Sequence, residues 1–176
     1  MRKLRVKELI FIAICADLGL FSKRMISPFT NIITDALHIP GGIGTSFSLM
    51  FLVLSVMLLK KKGVATLMSF IQCVIALSIG MVGSMGALSI IGYMVPGMVI
   101  DLLFVLTKKI QLTNMEKCAL LNAIGALSAA LTANCIVFHL KGIVLALYGS
   151  VALFSGLLCG ILGDILLRRI QKVIQF

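Results

Sequence analysis

The chain has 176 residues, of which 60% are hydrophobic and only 12% charged. A water-soluble domain of this length cannot hide so much apolar surface, so the composition excludes a soluble fold and makes lipid the solvent. The formal charge of +10 raises nucleic acid as a partner, but the placement of the cations turns it into a topology signal and leaves no nucleic-acid role.

Six apolar runs follow one another, at about 8–27, 43–59, 63–82, 86–106, 117–138 and 143–167. Each is long enough, or nearly so, to cross a hydrocarbon core of about 30 Å as a helix. Strands are ruled out because open edges leave backbone groups unsatisfied in lipid, and the runs lack barrel alternation. The expected fold is therefore an all-α integral membrane protein, a single domain over 1–176 built as a bundle of six transmembrane helices.

The first run opens "MRKLRVKELIFIAICADLGLFSKR". It has a basic start but no small-x-small cleavage site, so it reads as a retained span. Asp17 falls near mid-membrane, where a carboxylate costs about 2.5–3.5 kcal/mol on insertion scales. It is either a partner-facing or ligand-linked acid, or half of a buried helix–helix hydrogen bond. Lys23 and Arg24 lie further along and are expected to reach outward to the headgroups. Ala13, Ala16 and Gly19 thin this helix for close contact with another.

The next stretch, "PFTNIITDALHIPGGIGTSF", crowds Pro28, Pro40, Gly41 and Gly42 around Asn31, Thr34, Asp35 and His38. The prolines restrict the backbone and the glycines free it. The stretch is expected to be an ordered, hinged loop between the first two spans. The second run is the shortest and is expected to end near a thin or protein-shielded edge. The third carries Gln72 midway. The fourth carries Ser89, Tyr93 and, near its far end, Asp101, seven residues before Lys108. The fifth carries Asn122 and Asn134, with Gly125, Ala129 and Ala133 as small residues. The sixth carries Tyr148, Ser150 and the stripe Gly156, Gly160, Gly163, and ends with Asp164 four residues before Arg168, a helical ion-pair spacing. Structural pairing at the inner interface is the expected role of Asp101 and Asp164. The five cysteines all lie in apolar runs, with no C-x-x-C, and read as small packing residues.

Of the sixteen Lys and Arg residues, thirteen fall on one side: those before the first run, after the second, after the fourth and after the sixth. Lys23, Arg24 and Lys141 fall on the other. The positive-inside rule then puts both termini in the cytoplasm of a cell-membrane protein, with the 28–43 stretch outside.

Asn31, His38, Gln72, Ser89, Tyr93, Asn134 and Tyr148 then share one depth. Polar side chains from several spans meeting at one level are what a small-ligand site needs, although each Asn or Gln alone serves equally as interhelical glue. No catalytic residue stands out. The chain has no G-x-x-x-x-G-K-[ST], no H-E-x-x-H and no G-x-S-x-G. His38 and His139 alone do not complete a metal site. No cofactor is expected.

The stretches "ELIFIAICADLGLFSK", "HIPGGIGTSFSLMFLVL", "KKKGVATLMSFIQCVIALSIG" and "GSMGALSIIGYMVPGMVIDLLF" together resemble the S components, the substrate-binding subunits, of energy-coupling-factor (ECF) vitamin transporters. The last three look like those of the thiamine-precursor side of that family. The resemblance implies that the chain binds a small water-soluble vitamin or precursor, such as thiamine or its pyrimidine precursor. It implies a loop between spans one and two that gates the pocket, here Pro28, Asp35, Pro40, Gly41 and Gly42. It also implies partners: a transmembrane coupling subunit and two cytoplasmic ATPase subunits, which use the ATP. The family contacts the coupling subunit through an Ala-x-x-x-Ala pair in its first span. Ala13 matches the first position, but the second is Asp17, so Ala16 and Gly19 or a polar contact by Asp17 would have to serve. From a different class, the alternative is a membrane-embedded enzyme acting on a lipid or isoprenoid, with Asp17 and Asp101 as working carboxylates; a third is a non-transporting assembly partner. With no Trp, ring stacking would fall to the two tyrosines, helped by Phe29, Phe47 or Phe138.

Overall fold

The computed structural model describes residues 5–36, 43–80, 88–137, 139 and 142–173, with residues 33–36, 137 and 173 described by their backbone alone. The described residues form six α-helices and no strand: α1 (Val6–Ala36), α2 (Ile43–Leu59), α3 (Val64–Ser78), α4 (Ser89–Thr107), α5 (Asn114–Thr132) and α6 (Ile143–Val173). A π-helical turn, Ala133–Val137, continues α5. Three of the helices are long and apolar enough to cross a membrane: α4, α5 with its extension, and α6. Helices α2 and α3 are apolar but shorter, with 17 and 15 residues, about 25 and 22 Å of rise.

Helix α2 is the centre of the bundle. It packs on α1, α3, α4, α5 and α6, and a helix that is apolar all round belongs where neighbours surround it. Two of its serines find partners: Ser55 donates to the Phe51 carbonyl of the same helix at 3.0 Å, and Ser46 shares a hydrogen bond with Ser155 of α6 at 2.8 Å. Helices α5 and α6 approach closely, because Gly156 and Gly160 face the α5 backbone at Ala123 and Ala119. Asn122 ties the same three helices, donating to the carbonyls of Gly156 (2.9 Å) and Ser46 (3.3 Å). Helix α5 begins with a capping box, in which Thr113 Oγ1 accepts from the Glu116 N–H and the Glu116 carboxylate accepts from the Thr113 N–H.

One end of the bundle is solid and cationic. Ile12, Leu52, Leu54, Val56, Val64, Met68, Ile100 and Leu121 form its core. Lys61 pairs with Glu8 at 2.6 Å, which ties the start of α1 to the α2–α3 link. Arg168 pairs with Asp164 at 2.8 Å, as the four-residue spacing leads one to expect. Asp101 does not pair with Lys108. Its carboxylate accepts from the N–H groups of Ala65 and Thr66 and from the Thr66 hydroxyl, so it caps α3 from across the bundle. Lys108 instead lies over the Phe104 ring, 4.8 Å from its centroid.

The largest departure from expectation is the length of α1. A span ending at 27 and a loop from Pro28 were expected. The helix runs on through Pro28 to Ala36, about 46 Å in all. Pro28 is therefore a helical residue and not part of a loop. Pro28 has no N–H, so the Arg24 carbonyl, four residues earlier, loses its usual helical donor; just beyond it Thr30 donates to the carbonyls of Ile26 (3.2 Å) and Ser27 (3.1 Å). Ser27 also seats against Gly44 of α2, where an added Cβ would lie 2.6 Å from its hydroxyl. Asp35 lies on the same helix, with its side chain outside the described residues. His38, Pro40, Gly41 and Gly42 lie outside them altogether.

Candidate functional site

At the end opposite the cationic one, the bundle encloses a cavity of about 230 Å³ with mostly apolar walls. All six helices contribute. Lys23 comes from α1, Thr45, Ser48 and Leu49 from α2, and Gln72 from α3. Ser89, Gly92, Tyr93 and Pro96 come from α4, Ala129 and Ala130 from α5, Ala133 and Asn134 from the π-helical turn, and Tyr148 from α6.

Two interruptions of regular helix border the cavity. Pro96 has no N–H, so the carbonyl of Gly92, four residues earlier, loses its usual helical donor. Across from it, the π-helical turn widens the end of α5; such bulges frequently mark functional sites. It presents Asn134, whose Nδ2 donates to the Ala130 carbonyl at 2.8 Å. Small residues make the room: Ala129, Ala130 and Ala133 leave the α5 wall nearly bare. Behind the cavity, Gly19 has only enough space for a hydrogen. An added Cβ there would lie 2.6 Å from Gln72 Nε2 and 3.3 Å from the Ser48 carbonyl. Gln72 is held by donating to the Ala16 carbonyl at 3.3 Å. Ser89 is 1% exposed, and its hydroxyl has no hydrogen-bond partner among the described residues.

Of the seven residues expected to meet at one depth, Gln72, Ser89, Tyr93, Asn134 and Tyr148 line this cavity. Asn31 is exposed on α1 and does not line it, and His38 lies outside the described residues. Neither Phe29 nor Phe47 supplies a wall: Phe29 is exposed, and Phe47 packs edge-on against Phe51. Phe138 lies outside the described residues.

Lys23 is the residue that sequence reasoning misplaced. It does not reach outward but turns into the cavity, with Nζ 5.1 Å from the centroid of the Tyr93 ring. The signal was present: Ile12, Ala16, Gly19 and Lys23 follow a helical i, i+4, i+7, i+11 spacing, and the first three are buried. The same register corrects the expected partner contact. Ala16 and Gly19 face the interior and present no surface for a subunit. Ala13 is half-buried and Asp17 is exposed. Asp17 interrupts an outward apolar stripe of Ile10, Ile14, Leu18, Phe21 and Met25.

Neither Asp17 nor Asp101 reaches the cavity. Among the described residues, no three His, Cys, Asp or Glu side chains come together as metal ligands would. No protein-family model matches the chain, and neither does any curated protein or any solved structure.

Proposed function

We propose that this chain is the solute-binding membrane subunit of an ATP-driven importer of the ECF type, taking up a small water-soluble vitamin or precursor. The observation that carries the reading is the convergence of five polar side chains from four segments on one cavity walled by all six helices. In this reading the six helices all span the cell membrane, both termini are cytoplasmic, and the cavity opens to the outside, since the cationic end lies inward. The chain carries out no covalent chemistry. The α1–α2 connection, with Pro40, Gly41 and Gly42, and Asp35 at the end of α1 gate the cavity. Thiamine or its pyrimidine precursor enters as a candidate solute from the sequence resemblance alone.

The partners are a transmembrane coupling subunit and two ATPases. The exposed α1 stripe supports this: a carboxylate facing acyl chains is costly, and a partner helix with a hydroxyl or cation beside Asp17 would remove that cost. Affinity capture of the full chain from mildly solubilised membranes of its own cell is the test. The expected result is recovery of one multi-span coupling protein and two nucleotide-binding ATPases. Asp17→Lys should lower that recovery about tenfold, and should shift folding stability by less than about 0.5 kcal/mol, as usual for an exposed site. Recovery of no such subunits, even after chemical cross-linking, contradicts the reading.

Gly19 supplies a further expectation. Gly19→Ala should push the Gln72 carboxamide out of place and weaken solute retention by about tenfold, the worth of one buried hydrogen bond. Dissociation of the co-purified solute from wild type and variant measures it.

A further inference from the structure

We infer that the solute of this cavity carries a single carboxylate on a body the size of one ring, and that Lys23 is the group that pairs with it. The inference rests on the cavity being a solute site.

Among the described residues, Lys23 is the only Lys or Arg that lines the cavity, and no Asp or Glu among them does. The described acids are committed elsewhere: Glu8 to Lys61, Asp164 to Arg168, Asp101 to the start of α3, and Glu116 to the cap of α5. Asp17 is exposed, six residues before Lys23 on the outward face of α1. Asp35 is twelve residues beyond Lys23 on the same helix, about 18 Å of rise away. The contact that the structure gives the ammonium is the face of Tyr93 at 5.1 Å. A cation–π contact offsets only part of the cost of holding a charge in apolar surroundings. An anion in the cavity would offset the rest.

One cation matches one negative charge, which selects a carboxylate over a phosphate dianion. The Ser89 hydroxyl, buried and unpartnered among the described residues, supplies a neutral donor on α4, one turn before Tyr93. Size sets the body. A cavity of about 150 Å³ admits benzene, so 230 Å³ admits one substituted ring. The same charge argues against thiamine, because its fixed positive charge would stand beside Lys23 with no acid among the described lining residues to separate them.

Three probes that share one ring and differ in charge decide the matter: benzoate, benzamide and benzylamine, titrated into the purified full chain by calorimetry. Benzoate should bind about 10- to 100-fold more tightly than benzamide, the range for a hydrogen bond to a charged group, and benzylamine should bind weakest. Lys23→Gln should erase the preference and Lys23→Arg should keep it. Benzylamine binding wild type as well as benzoate does would overturn the inference even if Lys23→Gln fails to fold. So would an unchanged preference in Lys23→Gln, or no binding of any probe at millimolar concentration. In each of those cases the importer reading survives if a water-soluble solute of another charge co-purifies with the chain, and fails with it if none does.

Discussion

Gly160→Ala is expected to lower the unfolding temperature by about 5–10 °C, and Gly160→Leu to prevent assembly of the bundle. The added Cβ at Gly160 would lie 2.5 Å from Ala119 Cα and 2.7 Å from the Cys118 carbonyl. Both are backbone atoms of α5, so no side chain can rotate away and the two helices must separate. Overpacking of this kind typically costs about 1–3 kcal/mol, a large share of a total stability of roughly 5–15 kcal/mol; for a chain this long about 1 kcal/mol moves the midpoint by about 2–4 °C. Separation would also stretch the Asn122 bond to the Gly156 carbonyl and the Ser46–Ser155 pair. Gly92→Ala is the control, because a Cβ there meets nothing within 4 Å. The protein supplies its own readout. Cys15, Cys73, Cys118 and Cys159 are free and buried, so a thiol-reactive dye reports their exposure on heating. Equal midpoints for Gly160→Ala and Gly92→Ala would refute the packing account.

Asp101→Ala is expected to cost about 3 kcal/mol. Helix α3 starts at Gly63 in a left-handed conformation (φ 83°) with no side-chain cap of its own, so the N–H groups of Ala65 and Thr66 depend on the carboxylate of α4. The Asp101 oxygens accept from those two groups at 3.3 and 2.8 Å and from the Thr66 hydroxyl at 2.6 Å. Hydrogen bonds to a charged group are worth about 1.5–3 kcal/mol each, and the helix N-terminus adds a favourable dipole. Thr66→Val should cost about 1 kcal/mol, and the double variant less than the sum, because the residues share one network. The same thiol-dye unfolding measures all three. An Asp101→Ala midpoint within about 1 °C of wild type would mean that the carboxylate caps nothing.

The helical character of the chain was legible because apolar runs of this length leave no alternative. Interactions within one helix were legible too, as the Asp164–Arg168 pair shows. What crosses between helices was not. The distance from Asp101 to Lys108 along the sequence suggested a partner, but the first turn of α3 supplies better donors, and only the fold brings them together. Pro28 looked like the end of a helix because proline ordinarily breaks one, yet α1 runs on past it to Ala36. The threonine and glutamate that cap α5, three residues apart, were readable and were missed. At the cavity, Gln72, Ser89, Tyr93, Asn134 and Tyr148 were legible as polar residues in apolar runs. Lys23 was misread because a long cation near a helix end is expected to reach headgroups, whereas the register it shares with Ile12, Ala16 and Gly19 points it inward. That register also takes Ala16 and Gly19 away from any partner and leaves Asp17 on the outward face.

The central claim is that the cavity holds a water-soluble solute, and mass spectrometry of the small molecules released from the purified full chain tests it most directly. Wild type should release about one molecule of a water-soluble compound per chain. Ala133→Phe, which places a ring in the cavity from the π-helical turn, should release none while unfolding at an unchanged temperature. Release of phospholipid alone, or an equal yield of the same compound from Ala133→Phe, would contradict the account.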